Sequence, residues 1–280
     1  MLDTAKEFLT EWNKIDKRQM KEIDIGLIGG YGLVEGFSQI SAEKRKTKFG
    51  EPSSDIRIVQ IGPWKVGVIA RHGEKHTIPP HKINYRANIM ALKELGATKL
   101  ITTSAVGSLK EDYKPGQLVV TDQVIDFTKK REYTFFDGPV VHHVSFEPPF
   151  CESMRKLAIE ILEKNKIAHQ KKGIYICIEG PRFSTKAESH MFSNFADIIG
   201  MTLCPEASLA REAELCCLNI AMVTDYDVWK EHKVSAELVL KTVSENEKNL
   251  KLFLKKYIEA LKIEDCACNR ALVGTKMTKD

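Results

Sequence analysis

Short apolar runs alternate with helical stripes along this chain, and most runs end in glycine, a hydroxyl or a charged residue. Leu2, Ala5, Phe8, Leu9, Trp12 and Ile15 recur at helical spacing and predict an amphipathic helical extension over residues 1–20. Ile23–Ile28 reads as a buried strand that runs into Gly29-Gly30-Tyr31-Gly32. Ile56–Ile61 and Val66–Ala70 flank Gly62-Pro63 and predict a hairpin. Asn84–Leu95 predicts a helix capped by Asn84 and stopped by Gly96. Lys99–Thr103 reads as a strand entering a loop of small residues, Ser104–Ser108, and Gln117–Ile125 as another strand. Arg131–Pro149 is aromatic and irregular, the kind of long loop that usually serves a function. Cys151–Asn165 returns to helical periodicity, Gly173–Ile178 reads as a strand, Lys186–Phe195 as a helix and Asp197–Gly200 as a short strand. Pro205 opens a helix through Cys216, Leu218–Val223 forms a buried strand, and Ser235 caps a long helix with Val239, Val243, Asn246, Leu250, Phe253, Leu254 and Leu261 on one stripe. Residues 264–280 show no periodicity, and without a repeat or linker a single α/β domain is expected.

The bulk properties narrow the class. Of 280 residues, 43% are hydrophobic and 29% charged, as in soluble globular chains. Lys and Arg number 42 against 38 Asp and Glu, which leaves +4 and no electrostatic case for nucleic acid. Arg45, Lys46 and Lys48 read as a solvated face. No basic leader with an apolar core opens the chain, and no apolar run reaches the roughly 18 residues a membrane span needs, so a cytoplasmic protein without membrane contact is expected. Seven cysteines lack the paired C-x-x-C spacing of a zinc site, so reduced thiols are the default. Cys266-Ala267-Cys268 would suit a strained disulfide only in a hyperthermophile's intracellular protein.

Candidate chemistry sits at the strand ends. Asp225 and Asp227, just beyond Leu218–Val223, would point to one side if extended, as an acidic fork or a coupled acid/base pair; an N-cap and a turn is the plainer alternative. The glycines at 29, 30 and 32 allow backbone close to an anion, although no Lys-Ser/Thr follows and Gly36 comes one residue late for a dinucleotide fingerprint. Arg71 and His72 are placed to clamp an oxyanion or to form a surface cluster. His72, His76 and His81 do not suggest a metal, because Gly73 and Pro79-Pro80 break the helix that an i,i+4 pair requires. Ser104–Ser108 suits phosphate or is a plain loop.

Taken together, Gly29-Gly30-Tyr31-Gly32, Arg71-His72-Gly73, Thr103–Ser108, Glu179-Gly180-Pro181-Arg182-Phe183-Ser184 and Thr224-Asp225-Tyr226-Asp227 resemble the purine nucleoside phosphorylase family, as does Tyr226–His232. The resemblance implies a single domain with a mixed, partly barrel-like central sheet flanked by helices, assembled as a trimer or a dimer of trimers. It implies no cofactor and no metal, only phosphate as co-substrate. By position, Tyr31, Arg71, His72, Ser104, Ala105 and Thr202 would hold phosphate, and Met201 and His143 the ribose end, His143 from an adjacent subunit. Phe183, Ser184, Asp225, Asp227, Ala236 and Val239 would line the base pocket. Where the family places Thr or Ser after the paired glycines, this chain has Tyr31, so the amides of Gly30 and Tyr31 would meet the anion.

The implied reaction is phosphorolysis of 5'-methylthioadenosine, with adenosine a further substrate. A protonated Asp225 would assist the leaving base at N7. Asp227 would accept from a 6-amino group, whereas facing a 6-oxo group would leave two acceptors unpaired. The competing expectations are a 6-oxopurine phosphorylase, a nucleosidase using water, and a nucleoside-binding homologue without turnover.

Overall fold

The computed structural model describes residues 21–230, 236–262 and 266–278, except for several side chains between 236 and 245. The helix expected over residues 1–20 and the Ser235 cap lie outside the described residues. Eleven strands form one mixed sheet. In chain order they are β1 (Ile25–Gly29), β2 (Ser38–Glu43), β3 (Ile56–Ile61), β4 (Trp64–Ala70), β5 (Lys99–Ser108), β6 (Leu118–Val120), β7 (Gln123–Phe127), β8 (His169–Gln170), β9 (Ile174–Ile178), β10 (Ile198–Gly200) and β11 (Cys216–Asp225). The helices are α1 (Tyr85–Glu94), α2 (Glu152–Lys164), α3 (Lys186–Phe192), α4 (Leu203–Glu212) and α5 (Ala236–Ala260). None of them is long and apolar enough to cross a membrane.

β1 lies between β4 and β5 and runs parallel to both, which is why Ile25–Gly29 is buried throughout and apolar except for its glycines. β5 is the hub. Its first residues pair with β1 on one edge and with β11 on the other, and its end, Gly107 and Ser108, turns to meet β10 antiparallel. Because β4, β1, β5 and β11 are all parallel, Arg71, Gly30, the second half of β5 and Asp225 emerge at one end of the sheet. α1 and α4 pack in one apolar layer, α2 and α5 in another. The expected α/β fold with a mixed sheet flanked by helices is the one observed.

Several boundaries move for physical reasons. The expected loop Ser104–Ser108 is strand, since β5 keeps pairing with β11 as far as Gly107. Gln117–Ile125 splits at Thr121-Asp122 because β6 joins β11 while β7 joins β9. The helix expected from Pro205 to Cys216 ends at Glu212, and Cys216 opens β11. Cys204 is extended there (φ −106°, ψ 135°), as the residue before proline prefers. β2 escapes the sequence pattern because it is an exposed outer strand without a buried apolar face. The tail is not wholly irregular: a 3-10 turn spans Ala267–Arg270, and Lys276 bridges to His142. Cys266 and Cys268 do not close on each other, and all seven cysteines are free thiols.

Candidate active site

At the ends of β1 and β4, the backbone is drawn tight before any ligand arrives. The Arg71 amide donates to Gly29 O at 2.9 Å, and a Cβ on Gly29 would meet Thr103 Oγ1 at 2.4 Å, so glycine is required there. A Cβ on Gly30 would meet nothing within 4 Å, which marks open space above this turn. Arg71, however, is not a free clamp. Nε and Nη2 donate to the two oxygens of Glu206 at 2.9 and 2.8 Å, Nη1 to Thr103 O at 2.7 Å and Nη2 to Ile28 O at 3.2 Å. Four of the five guanidinium N–H groups are thus committed, and one on Nη1 remains. Burial opposes the charge on Arg71, but Glu206 more than compensates and Arg71 holds its proton above the ordinary arginine range. Burial raises the Glu206 carboxyl against the pull of Arg71.

His72 is half-buried and stacks on His76 with ring centroids 4.3 Å apart. Burial and the Arg71 charge lower its pKa to about 4, so the ring is neutral at pH 7. Nδ1 lies 2.8 Å from Ile78 O, which assigns the proton to Nδ1 and leaves the Nε2 lone pair outward. Tyr31 turns elsewhere: its hydroxyl donates to Asp55 O and lies 2.9 Å from Ser54 Oγ, and the Arg57 guanidinium covers its ring at 3.7 Å. On β5, Ser104 Oγ lies 3.4 Å from Thr202 Oγ1 and accepts from Asn219 Nδ2 at 3.3 Å. Thr202 is the N-cap of α4, yet its hydroxyl makes no cap bond and stays available beside Ser104. Ala105 is exposed between two buried neighbours and opens the strand to a ligand. Beneath them, Tyr175 is fully buried under Gly200, and burial raises its phenol against the pull of the Thr202 and Ser104 hydroxyls.

The second cluster forms where β11 ends. The pairing of β11 with β5 slips between Val223 and Asp225, and this bulge re-aims Asp225. Asp225 Oδ1 then accepts from the Asp227 amide at 2.8 Å, and Oδ2 from Thr224 Oγ1 at 2.7 Å. Asp227 is not extended, as period-two geometry required, but sits at φ +48°. The two side chains nevertheless meet over Gly107, where an added Cβ would touch Asp225 Oδ1 at 3.0 Å and Asp227 Cβ at 3.3 Å. Burial raises the pKa of both, and the charge on Asp227 raises Asp225 further. Asp227 Oδ2, Ser184 Oγ and Ser189 Oγ are buried without hydrogen-bond partners among the described residues. Ser189 nonetheless lies near enough to Asp227 to oppose that shift. Ser189 is carried on α3, whose start is fixed by a Thr185–Glu188 capping box and by Arg182 against Glu188 at 2.7 Å. Phe183 is exposed on the turn between them.

Met201 connects the clusters. It precedes Thr202 in sequence, and a Cβ on Gly180 would strike its Sδ at 2.6 Å, so the Gly180–Ser184 turn rests on it. His143 joins neither cluster among the described contacts: it is exposed, and its amide donates to Thr275 O at 3.0 Å. The side chains of Ala236 and Val239 lie outside the described set. Sequence reasoning missed Glu206, Asn219, Ser189 and Tyr175. Asn219 carried a signal, as a lone amide inside the apolar run Cys216–Val223, where buried polar groups need partners. Glu206 carries no such signal, being an acid in the first turn of a helix, where acids are favoured.

A family model described as the phosphorylase superfamily matches residues 24–259. The S-methyl-5'-thioadenosine phosphorylase of Thermofilum pendens is 56% identical over 257 residues, covering 90% of this chain and 98% of that protein. That of Saccharolobus solfataricus is 53% identical over 257 residues, covering 90% and 95%. Among solved structures, methylthioadenosine phosphorylase from Schistosoma mansoni in complex with adenine aligns with a TM-score of 0.86 at 34% identity, covering 91% of this chain and 99% of that one.

Proposed function

The chain belongs to the phosphorylase superfamily, and from that premise we propose that it cleaves 5'-methylthioadenosine with inorganic phosphate, giving adenine and 5-methylthioribose 1-phosphate. The C1'–N9 bond breaks as a phosphate oxygen bonds to C1' from the opposite face. The electron pair leaves with the base, and the proton that phosphate gives up on becoming an ester is balanced by the one adenine gains. Asp225, whose hold on a proton burial strengthens, donates at N7. Asp227 Oδ2 accepts from the exocyclic amine, and Ser184 and Phe183 complete the base wall.

The phosphate dianion is met by the Gly30 and Tyr31 amides, the remaining Nη1–H of Arg71, the β5 backbone at Ala105 and the Ser104 and Thr202 hydroxyls. With Nδ1 donating to Ile78, His72 offers Nε2 as an acceptor for the proton of HPO4. Met201 packs beneath the ribose. The exposed His143 serves the 5' end of a neighbouring subunit in a homotrimer or dimer of trimers, and the enzyme works in the cytoplasm without a cofactor in its catalytic step. The observation that carries this function is the set of three orphaned polar atoms, Asp227 Oδ2, Ser184 Oγ and Ser189 Oγ, beside a carboxyl pair raised by burial. Such atoms cost free energy unless a ligand pairs with them.

Turnover of 5'-methylthioadenosine against 5'-methylthioinosine tests it. We expect the amino purine to be favoured at least about tenfold in kcat/KM. Equal or greater turnover of the oxo purine would overturn the assignment of Asp227.

A further inference from the structure

Behind the hydroxyls of β5, a row of buried polar side chains crosses three adjacent strands. β11 runs parallel to β5 with Asn219 opposite Thr102, and antiparallel to β6, beyond which the Thr121 amide donates to Asn219 O at 3.3 Å. Asn219 is fully buried, in a strand whose ten residues are all buried. Its side chain reaches to both sides. Thr121 Oγ1 donates to Oδ1 at 2.7 Å, while Nδ2 donates to Thr102 Oγ1 at 2.9 Å and to Ser104 Oγ at 3.3 Å. The amide cannot be turned over without loss, because Nδ2 also lies 3.4 Å from Thr102 O, a carbonyl that only accepts. We propose that Asn219 is a positioning residue of the phosphate site: it occupies a lone pair of Ser104 Oγ and so leaves the Ser104 hydroxyl proton for the anion.

The proposal rests on Ser104 and Thr202 holding phosphate. A hydroxyl both donates and accepts, and the role it offers a ligand depends on what its other side meets. Ser104 Oγ has two polar side-chain neighbours, Asn219 Nδ2 and Thr202 Oγ1 at 3.4 Å. The amide nitrogen can only donate, which fixes the direction of the first contact, whereas in the longer second one either hydroxyl could give the proton. The donors therefore run one way, from the Thr121 hydroxyl to Asn219 and from the Asn219 amide to Ser104, and each polarises the next. Donors arranged in advance meet an anionic oxygen without reorganising when it arrives. Sheet stability alone would be served by the bonds to Thr102 and Thr121, which lie directly across the two strand pairs. The contact with Ser104, whose register partner is Ala221, is a diagonal reach that ties the row to the site. Without the amide, Ser104 loses its fixed donor and its proton is free to turn toward Thr202 Oγ1.

Steady-state kinetics of the full chain, with phosphate and 5'-methylthioadenosine varied in turn, tests this in two backgrounds. Asn219→Val removes the amide and suits a buried strand. In the parent it should raise the phosphate KM at least about fivefold, as expected when a hydrogen bond to a charged group is weakened, with the nucleoside KM within about twofold. In the Ser104→Ala background the same substitution should leave the phosphate KM within about twofold, because the hydroxyl through which Asn219 acts is gone. A phosphate KM unmoved in the parent background would overturn the proposal. So would an equal rise in both backgrounds, or a matching rise in the nucleoside KM, either of which reports a general structural role. Should Asn219→Val fail to fold, Asn219→Ser, whose hydroxyl is too short to span Thr121 and Ser104, is read by the same comparison. Adenine release by the unaltered enzyme that does not depend on phosphate would refute phosphorolysis, and the proposal with it; that failure is distinct because it shows in the parent alone.

Discussion

Asp225→Asn separates chemistry from architecture at the base end of the site. The carboxylate accepts from the Asp227 amide through Oδ1 and from Thr224 Oγ1 through Oδ2. An amide keeps the first bond through its carbonyl oxygen. Its NH2 can donate to Thr224 Oγ1, because that hydroxyl already has a second acceptor in Val106 O at 3.1 Å. No buried group is orphaned, so the fold should tolerate the change. Stability should hold or improve. With its pKa raised in the folded chain, Asp225 adds stability that is full below its unfolded pKa and is lost as pH rises through the folded one. Above the folded pKa the buried carboxylate is a cost, which the neutral amide removes.

Catalysis should suffer instead. General acid assistance is worth about 10²–10⁴ in rate. The amide still donates a hydrogen bond to N7 but cannot transfer a proton, which places the loss near the lower end, about 100-fold in kcat or about 2.7 kcal/mol. Adenine release under saturating substrate, measured from pH 5 to 9 alongside thermal melts, gives both quantities. The unaltered enzyme should lose kcat on the alkaline side as Asp225 gives up its proton, and the variant should lack that limb. A variant turning over within about threefold of the parent, with the alkaline limb intact, would refute Asp225 as the acid.

Asp227→Asn should shift the ratio of amino- to oxopurine kcat/KM by at least about tenfold toward 5'-methylthioinosine, and an unchanged ratio would remove Asp227 from base selection. Glu206→Gln leaves the Arg71 charge buried without its partner and should cost about 3–5 kcal/mol in chemical denaturation, with a midpoint unchanged from the parent counting against that pairing. Tyr31→Phe removes the bonds to Ser54 and Asp55 and should cost about 1 kcal/mol while leaving the phosphate KM unmoved; a several-fold rise in that KM would place the phenol in the anion site.

Much of the architecture was legible because parallel strands buried on both faces read as apolar runs: β1, β4 and β11 all announced themselves, as did the Asn84 cap of α1, which accepts from Ala87 N. What stayed hidden depends on pairing and not on periodicity. β5 runs through a stretch of small polar residues because β11 holds it there, and β2 is a polar outer strand fixed by β3. At the site, the convergence of Asp225 and Asp227 was foreseen for the wrong reason. A bulge and a left-handed residue bring them over Gly107, and no local pattern in the sequence encodes that turn. Arg71 was read as a fork for an anion, whereas Glu206, far away in the chain, takes both prongs.

Phosphorolysis itself is tested most directly by following adenine release from 5'-methylthioadenosine with and without inorganic phosphate. Adenine should appear only with phosphate, at a rate that saturates with its concentration, and in step with 5-methylthioribose 1-phosphate. Release at the same rate in phosphate-free buffer, with free 5-methylthioribose as the product, would make the enzyme a hydrolase and contradict the anion site built from Ser104, Thr202 and the Gly30 turn.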